Sequence, residues 1–556
     1  MSTKTATDPV FEFTPDVQLQ FEALVAGLTQ LGSRARDGEP SDGLEGLRQL
    51  RGIATFAPVK IPGADDGVIL DAGIVVPVAA GPHPVVILPG PLASTGWKSY
   101  PGMLIQFGLK GYIALAYTER GLGDSTGLGD VAGERDRADG SRVIDWVLAN
   151  YPQADPTRIG FAGSSYGAGQ SLLIAAHDTR VKSVCAQSAW ADLERSMLEN
   201  GTPHILAANA LANIFAGRLS GEADRILTDF RNNKITEEFR AFCRLRSPIH
   251  YLSKLNERNV PVFLGTYWHE TIFSVPAVVE LFNQLTGPRR LLIQVGDHGG
   301  GEVVGFLGGY SRPTATTYQW LEQFVKNRGT GSLDDTTVHA EYMHMNLLQQ
   351  IQKLPSWEAY VLPAVRYHLD APAPGAPDGA LSTAPGRGGT QEFMAGVDTP
   401  ATVAPELIWT GMRERLGRPF HYDTAKISRE DAAVWSTPPF TTAQQITGSL
   451  SLHVVVTPAA PTATLVAYLF DLDPGTGTAR IITSAPYTVR NAGPNQTRSI
   501  DIQLQPADYR VAAGHRLQLV VDTRDDFFTG ASVAGTKIQI STANAGSYLQ
   551  IPIKAV

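Results

Sequence analysis

Cysteine is almost missing: Cys185 and Cys243 are the only two in 556 residues. Two thiols in a chain of this length leave no disulfide framework and no cysteine metal site. Basic clusters are missing as well. The 46 lysines and arginines are outnumbered by 54 acidic residues, giving a net charge of −8, so electrostatics offers no reason to expect nucleic acid or an anionic membrane as a partner. No run approaches the roughly 18 to 20 apolar residues of a membrane span, and the opening "MSTKTATDPVFEF" has no apolar core of a signal peptide. No H-E-x-x-H or other paired-ligand pattern marks a metal, and no cofactor is expected. These absences leave a soluble, cytoplasmic protein of ordinary globular composition, 43% hydrophobic and 18% charged. It is too long for a single core and is expected to hold two or three domains.

What is present is organised in three stretches. Residues 1–55 read as an N-terminal helical extension, with Leu19, Phe21, Leu24, Leu28 and Leu31 near helical spacing and "DGEPSDG" as a break. Over residues 56–350 the continuous apolar runs "HPVVILPG", "YIALAYTE", "RIGFAG", "VKSVCAQSA", "VPVFLGTY" and "RRLLIQVG" suit doubly buried strands. Helical segments separate them, which indicates an α/β sheet with right-handed crossovers. The alternation is interrupted at about 192–252 by irregular helical sequence, placing a small cap above the carboxyl ends of the strands. Past "TTYQWLEQFVKNRG", read as the last helix, the pattern changes. Residues 351–556 carry short alternating segments such as "GSLSLHVVV" and "HRLQLVVDT" that indicate a β-sandwich, and "DAPAPGAPDGALSTAPGRGG" at 370–389 reads as a long exposed loop.

One turn concentrates the chemistry. In "RIGFAGSSYGAGQSLLIAAH", Gly163-Ser164-Ser165-Tyr166-Gly167 fits G-x-S-x-G, in which the middle serine sits on a sharp strand-to-helix turn with its hydroxyl held above the sheet. The flanking glycines let strand and helix pass close together. Ser165 is therefore the candidate nucleophile and Ser164 its buried neighbour. A serine hydroxyl needs a base within hydrogen-bond reach, itself oriented by a carboxylate. The histidine should follow the last strands of the sheet, and His298 in "LLIQVGDHGG" does so.

The order of "PVVILPG", "RGLGDSTG", "RIGFAGSSYGA", "VPVFLGTYWHETIF", "GDHGG", "WSTPPF" and "GHRLQLVV" resembles the X-prolyl dipeptidyl peptidase and cocaine esterase-like family, over roughly residues 55–556. The resemblance implies an α/β-hydrolase sheet with an inserted helical cap, a C-terminal all-β jelly-roll sandwich, and acyl-enzyme chemistry on esters or amides by serine, acid and histidine in that chain order. The family usually shows aspartate as the acid. Here the only carboxylate in the matching loop is Glu270, which is the expected acid, with Asp297 or Glu280 as alternatives. The backbone N–H of Tyr166 is one expected oxyanion donor. Cocaine esterase-like enzymes often supply a tyrosine as the second, but "GPLASTGW" has none, which leaves a backbone N–H around Leu92 or Ala93. Side chains expected to line the substrate pocket are Trp97, Trp190, Tyr267, Trp268 and His269, with Tyr166 and Phe273 as further aromatics in or near the cleft.

The sequence thus reads as a serine hydrolase acting on a small-molecule ester, amide or short peptide. An X-prolyl dipeptidyl aminopeptidase, an acyltransferase using the same acyl-enzyme, and a non-catalytic binding protein on a hydrolase fold are the alternatives. Homo-oligomerisation is left open.

Overall fold

The computed structural model describes residues 13–29, 45–328, 333–344, 351–490 and 493–556. Leu31 and the "DGEPSDG" break of the N-terminal reading lie outside the described residues.

A ten-stranded mixed sheet organises the first part of the chain. Its strands are β1 (Ala54–Pro62), β2 (Ile69–Pro77), β3 (His83–Pro89), β4 (Ile113–Tyr117), β5 (Ala154–Ser164) and β6 (Val181–Gln187), then, after the two-residue β7 (Leu198–Glu199) and β8 (Thr202–Pro203) of a separate ladder, β9 (Val262–Tyr267), β10 (Arg289–Gln294), β11 (Val338–Ala340) and β12 (Gln352–Leu354). The spatial order is β1-β2-β4-β3-β5-β6-β9-β10-β11-β12. β4, β3, β5, β6, β9, β10 and β11 run parallel, while β1, β2 and β12 are joined antiparallel at the two edges. The continuous apolar runs have the cause the sequence suggests: β3, β4 and β6 are buried almost throughout, because helices cover both faces. The sheet reaches Leu354, a few residues past the expected boundary at 350, because Gln352–Leu354 pairs with Val338–Ala340.

The N-terminal helix Pro15–Thr29 lies against this unit, packing Phe21, Leu24 and Leu28 into the cluster formed by Trp97, Met103, Leu104 and Phe107. Leu19, expected on the same face, is 62% exposed. Between β6 and β9, helices Leu193–Met197, Ile205–Ile214, Gly221–Arg231 and Glu237–Leu245 form the inserted cap. Their apolar faces close on Leu92, Tyr166 and Trp190 above the sheet.

The C-terminal domain is rich in β-strands. Ala463–Asp473 and Thr478–Val489 form a long antiparallel pair buried along most of its length, whereas "SLHVVVTP", Ser451 to Pro458, alternates residue by residue between the core and the outside. The proline- and glycine-rich stretch 370–389 is not simply an exposed loop. Gly379–Ser382 within it is a strand, antiparallel to His368–Asp370 and parallel to Gly379's partner segment at Trp435–Ser436, and it buries Leu381. Composition concealed it, because the strand is four residues long and carries one large apolar side chain.

The described part of the N-terminal extension is thus fixed by core burial. Phe21→Ala is predicted to destabilise the α/β unit by about 3–5 kcal/mol, seen as an earlier denaturant midpoint for its unfolding. An unchanged midpoint would mean that the helix does not belong to that cooperative unit.

Candidate active site

β5 ends at Ser164, and helix Tyr166–His177 begins two residues later. The residue between, Ser165, has φ 56° and ψ −119°, a region non-glycine residues enter only under constraint. Two close approaches impose it. A Cβ on Gly163 would lie 2.5 Å from the carbonyl carbon of Gly167, and one on Gly167 would lie 2.1 Å from the carbonyl oxygen of Pro89. Glycine at both places lets helix, strand and the β3 end converge. Ser164 is buried and donates its N–H to the Tyr100 hydroxyl at 3.0 Å. Ser165 is partly exposed.

The loops after β9 and β10 bring the other two expected residues to it. His298 Nε2 lies 2.8 Å from Ser165 Oγ, and Nδ1 lies 2.7 Å from Glu270 Oε1. With Nδ1–H donated to the carboxylate, Nε2 is left to accept the serine O–H. The longer side chain of glutamate is accommodated by folding back on its own turn: Glu270 Oε1 also accepts the N–H groups of Ile272 at 3.1 Å and Phe273 at 3.2 Å. The Phe273 ring meets the imidazole edge-on, at 5.1 Å between centroids. Burial disfavours the imidazolium, but the negative charge and hydrogen bond of Glu270, with Glu302 and Asp297 behind them, outweigh it and hold the His298 pKa above its ordinary value.

Two buried carboxylates hold these loops: Asp297, an alternative acid in the sequence reading, and Glu302, to which that reading gave no role. Asp297, fully buried, accepts the Thr271 N–H at 3.0 Å, the Thr271 hydroxyl at 2.8 Å and the His298 N–H at 2.8 Å on one oxygen, and the Gly411 N–H at 3.4 Å on the other. It therefore braces the acid loop, the histidine loop and the β-rich domain together, and burial with the neighbouring Glu270 charge pushes its pKa up to about 6. Glu302, also buried, accepts O–H groups from Ser188 at 2.9 Å and Tyr267 at 2.5 Å, while Ser188 Oγ accepts the Gly299 N–H at 3.1 Å. Neither role has a sequence signal beyond proximity to His298. Glu280, the other alternative acid, pairs with Arg195 at the surface.

Among the described residues, the N–H groups of Tyr166 and Leu92 donate to no protein acceptor, whereas Ala93 N–H is engaged by the Pro91 carbonyl at 2.8 Å. Leu92 is therefore the better placed of the two alternatives in that loop. The Tyr166 hydroxyl is turned away, donating to Asp136 at 3.0 Å and accepting the Ala132 N–H at 2.7 Å. Beside Ser165 is a cavity of about 30 Å³ whose wall includes Leu92, Tyr166, Trp190, Met197, Leu211 and Phe273.

Of the expected pocket residues, Trp190 lines that cavity together with Tyr166 and Phe273, and Trp97, Tyr267, Trp268 and His269 do not. Trp97 lies instead over Gly73, where a Cβ would be 2.4 Å from its ring, and donates Nε1–H to Asp71 at 2.7 Å. The side-chain-free notch at Gly73 captures it. Tyr267 serves Glu302 behind the histidine. Trp268 donates Nε1–H to the Glu341 carbonyl at 2.7 Å and stacks on Tyr360 at 6.3 Å, which fixes it in the seam to the β-rich domain. His269 is held at 2.5 Å by Glu414 of that domain. Met197 and Leu211 of the cap were missed. Their helices are legibly apolar, but which residues face Ser165 depends on how the cap is set down.

Asp297→Ala should leave Thr271 and His298 N–H groups unpaired and loosen both loops, lowering kcat on the order of 10²-fold with a smaller change in KM, measured on any ester the protein turns over. An unaltered kcat would show that the brace is dispensable.

The chain matches the X-Pro dipeptidyl-peptidase (S15 family) over residues 66–300. It also matches the X-Pro dipeptidyl-peptidase C-terminal non-catalytic domain over 332–545. No curated protein matches it in sequence. Solved structures of similar fold include an aminopeptidase from a marine sediment Thaumarchaeota archaeon, 14% identical, covering 94% of this chain and 100% of that one, with a TM-score of 0.68. An α-amino acid ester hydrolase is 17% identical over 94% of this chain and 100% of that one, also with a TM-score of 0.68. A CocE/NonD family hydrolase from Staphylococcus aureus is 15% identical, covering 90% and 94%, at 0.66. Catalytic and non-catalytic parts occur here in the family's order, joined to the α/β-hydrolase fold: the chain belongs to the X-Pro dipeptidyl-peptidase (S15) family and is a serine hydrolase of that kind.

Proposed function

We propose that the protein hydrolyses an ester or amide through an acyl-Ser165 intermediate, with His298 as general base and then acid, and Glu270 orienting it. The observation that carries this reading is the continuous line from Ser165 Oγ through both imidazole nitrogens to Glu270, at 2.8 and 2.7 Å. Ser165 Oγ bonds to the carbonyl carbon as its proton passes to His298 Nε2. The carbonyl oxygen becomes an oxyanion, received by the N–H groups of Tyr166 and Leu92. Collapse breaks the bond to the leaving group, which departs with the proton from Nε2. Water then repeats the sequence, its proton passing through Nε2 back to Ser165 Oγ as the acid is released.

Ser165→Ala is expected to abolish turnover and fluorophosphonate labelling in a protein that still folds, whereas Ser164→Ala keeps a reactive Ser165 identifiable by peptide mapping. Labelling that disappears only in the Ser164 variant would overturn the choice of nucleophile.

Because neutral His298 is the base, kcat/KM should rise with pH through an apparent pKa above the ordinary histidine value of about 6.5. Glu270→Gln removes the carboxylate that contributes most to this elevation. It should lower the rate by about three to four powers of ten and move the acid limb to lower pH. Near-parental activity with an unmoved limb would place the acid elsewhere.

A further inference from the structure

The cavity beside Ser165 has a composition and a position that together specify what enters it. Leu92, Trp190, Met197, Ala207, Leu211 and Ile272 contribute to its wall, and no carboxylate, lysine or arginine does. The acidic groups nearby face elsewhere. Glu270 lines two other cavities toward the β-rich domain, Glu302 is bonded to Ser188 and Tyr267, and Asp136 is bonded to the hydroxyl end of Tyr166. An α-ammonium group placed here would lose its hydration with no charge to replace it, a penalty that excludes it.

Position identifies which half of the substrate is received. The wall contains Ser165 together with Tyr166 and Leu92, the residues whose N–H groups face the oxyanion in the proposed function, but it does not contain His298. A leaving group must approach His298 Nε2 to take its proton. The group that remains bonded to the carbonyl carbon therefore occupies the cavity, and it is the acyl part.

Size then limits the acyl group. An apolar cavity of about 150 Å³ accommodates benzene, so the space of about 30 Å³ here takes one or two carbons. Met197 and Ala207, both buried, and the partly buried Leu211 close its cap side. Resting on the reading of Ser165 as the nucleophile, we infer that the protein is selective for short, neutral acyl groups, acetyl and propionyl, and that Met197 and Leu211 set the length limit. Aminoacyl and aromatic acyl groups are rejected, the former for want of a counter-charge and the latter for want of room.

The test is a series of p-nitrophenyl esters from acetate to octanoate, with benzoate and an L-alanine ester, on the full chain. A second series holds the acyl group at acetyl and lengthens the alcohol. The expected result is a fall in kcat/KM of at least tenfold between propionate and hexanoate, a similar disadvantage for benzoate and the alanine ester, and a weaker dependence on the alcohol. Leu211→Ala and Met197→Ala should each raise the hexanoate-to-acetate ratio severalfold, and Leu211, partly exposed, is the variant less prone to misfold. A preference for octanoate, benzoate or the alanine ester would overturn the proposal, as would discrimination that falls on the alcohol. Labelling of Ser165 by a small methylphosphonofluoridate separates the two levels. A labelled enzyme with the wrong acyl preference refutes the cavity assignment alone, and an unlabelled folded protein refutes the nucleophile on which it rests.

Discussion

The backbone of Ser165 is held in a conformation that costs on the order of 1–3 kcal/mol, and much of the surrounding structure is arranged to keep it there. Its N–H donates to the Gln187 carbonyl at the end of β6 at 2.8 Å, and its carbonyl begins the following helix by accepting from Ala168 and Gly169. Gly163 and Gly167 permit the contacts that close the turn, and Leu172, Leu173 and Ile174 of the helix are fully buried against the sheet and cap. A strained turn anchored at both ends gives the serine hydroxyl one direction. It also fixes the next N–H, that of Tyr166, relative to that hydroxyl, because the two belong to consecutive residues.

The other two members of the line come from loops, which have less intrinsic rigidity than the strands that carry them. Their order is supplied by buried polar contacts, several of which reach the β-rich domain. The helix Trp409–Arg415 of that domain packs Gly411 against the Gly296 backbone, where a Cβ would be 2.1 Å from the carbonyl oxygen, and Arg415 donates to the Val295 carbonyl at 2.8 Å. Immediately before it, Ile408 has φ 69°, an uncommon state for a β-branched residue, and its N–H donates to Thr271 Oγ1 at 3.1 Å. The domain matched as non-catalytic thus meets both loops that present Glu270 and His298, and a strained residue lies at the contact.

Charge is distributed unevenly around the imidazole. Glu270, Glu302 and Asp297 all favour a positive ring on His298, yet none of them lines the apolar cavity. The cavity beside Ser165 has no charged lining. This separation lets carboxylates act on the base without offering a site to a cationic substrate. Leu92 combines two parts in one residue: its side chain continues the apolar wall, and among the described residues its backbone N–H has no protein acceptor.

The sequence by itself determined the sheet, the elbow and the three residues that line up across it. Those signals are local or ordered along the chain: continuous apolar runs mark strands buried on both faces, G-x-S-x-G marks a turn only small residues permit, and Glu270 and His298 follow strands whose carboxyl ends must share one edge. Tertiary structure decided what is not written in neighbouring residues. Trp97, Tyr267, Trp268 and His269 sit close in sequence to the catalytic loops, yet each is drawn off by a distant partner: Asp71, Glu302, Glu341 and Glu414 respectively. Met197 and Leu211 reach the serine because the cap folds over it, and Asp297 is a brace because donors from Thr271 and Gly411 converge on its carboxylate. The direction of a side chain is set by the burial and hydrogen bonds available in three dimensions, and partners 26 to 145 residues away leave no periodic trace in the chain.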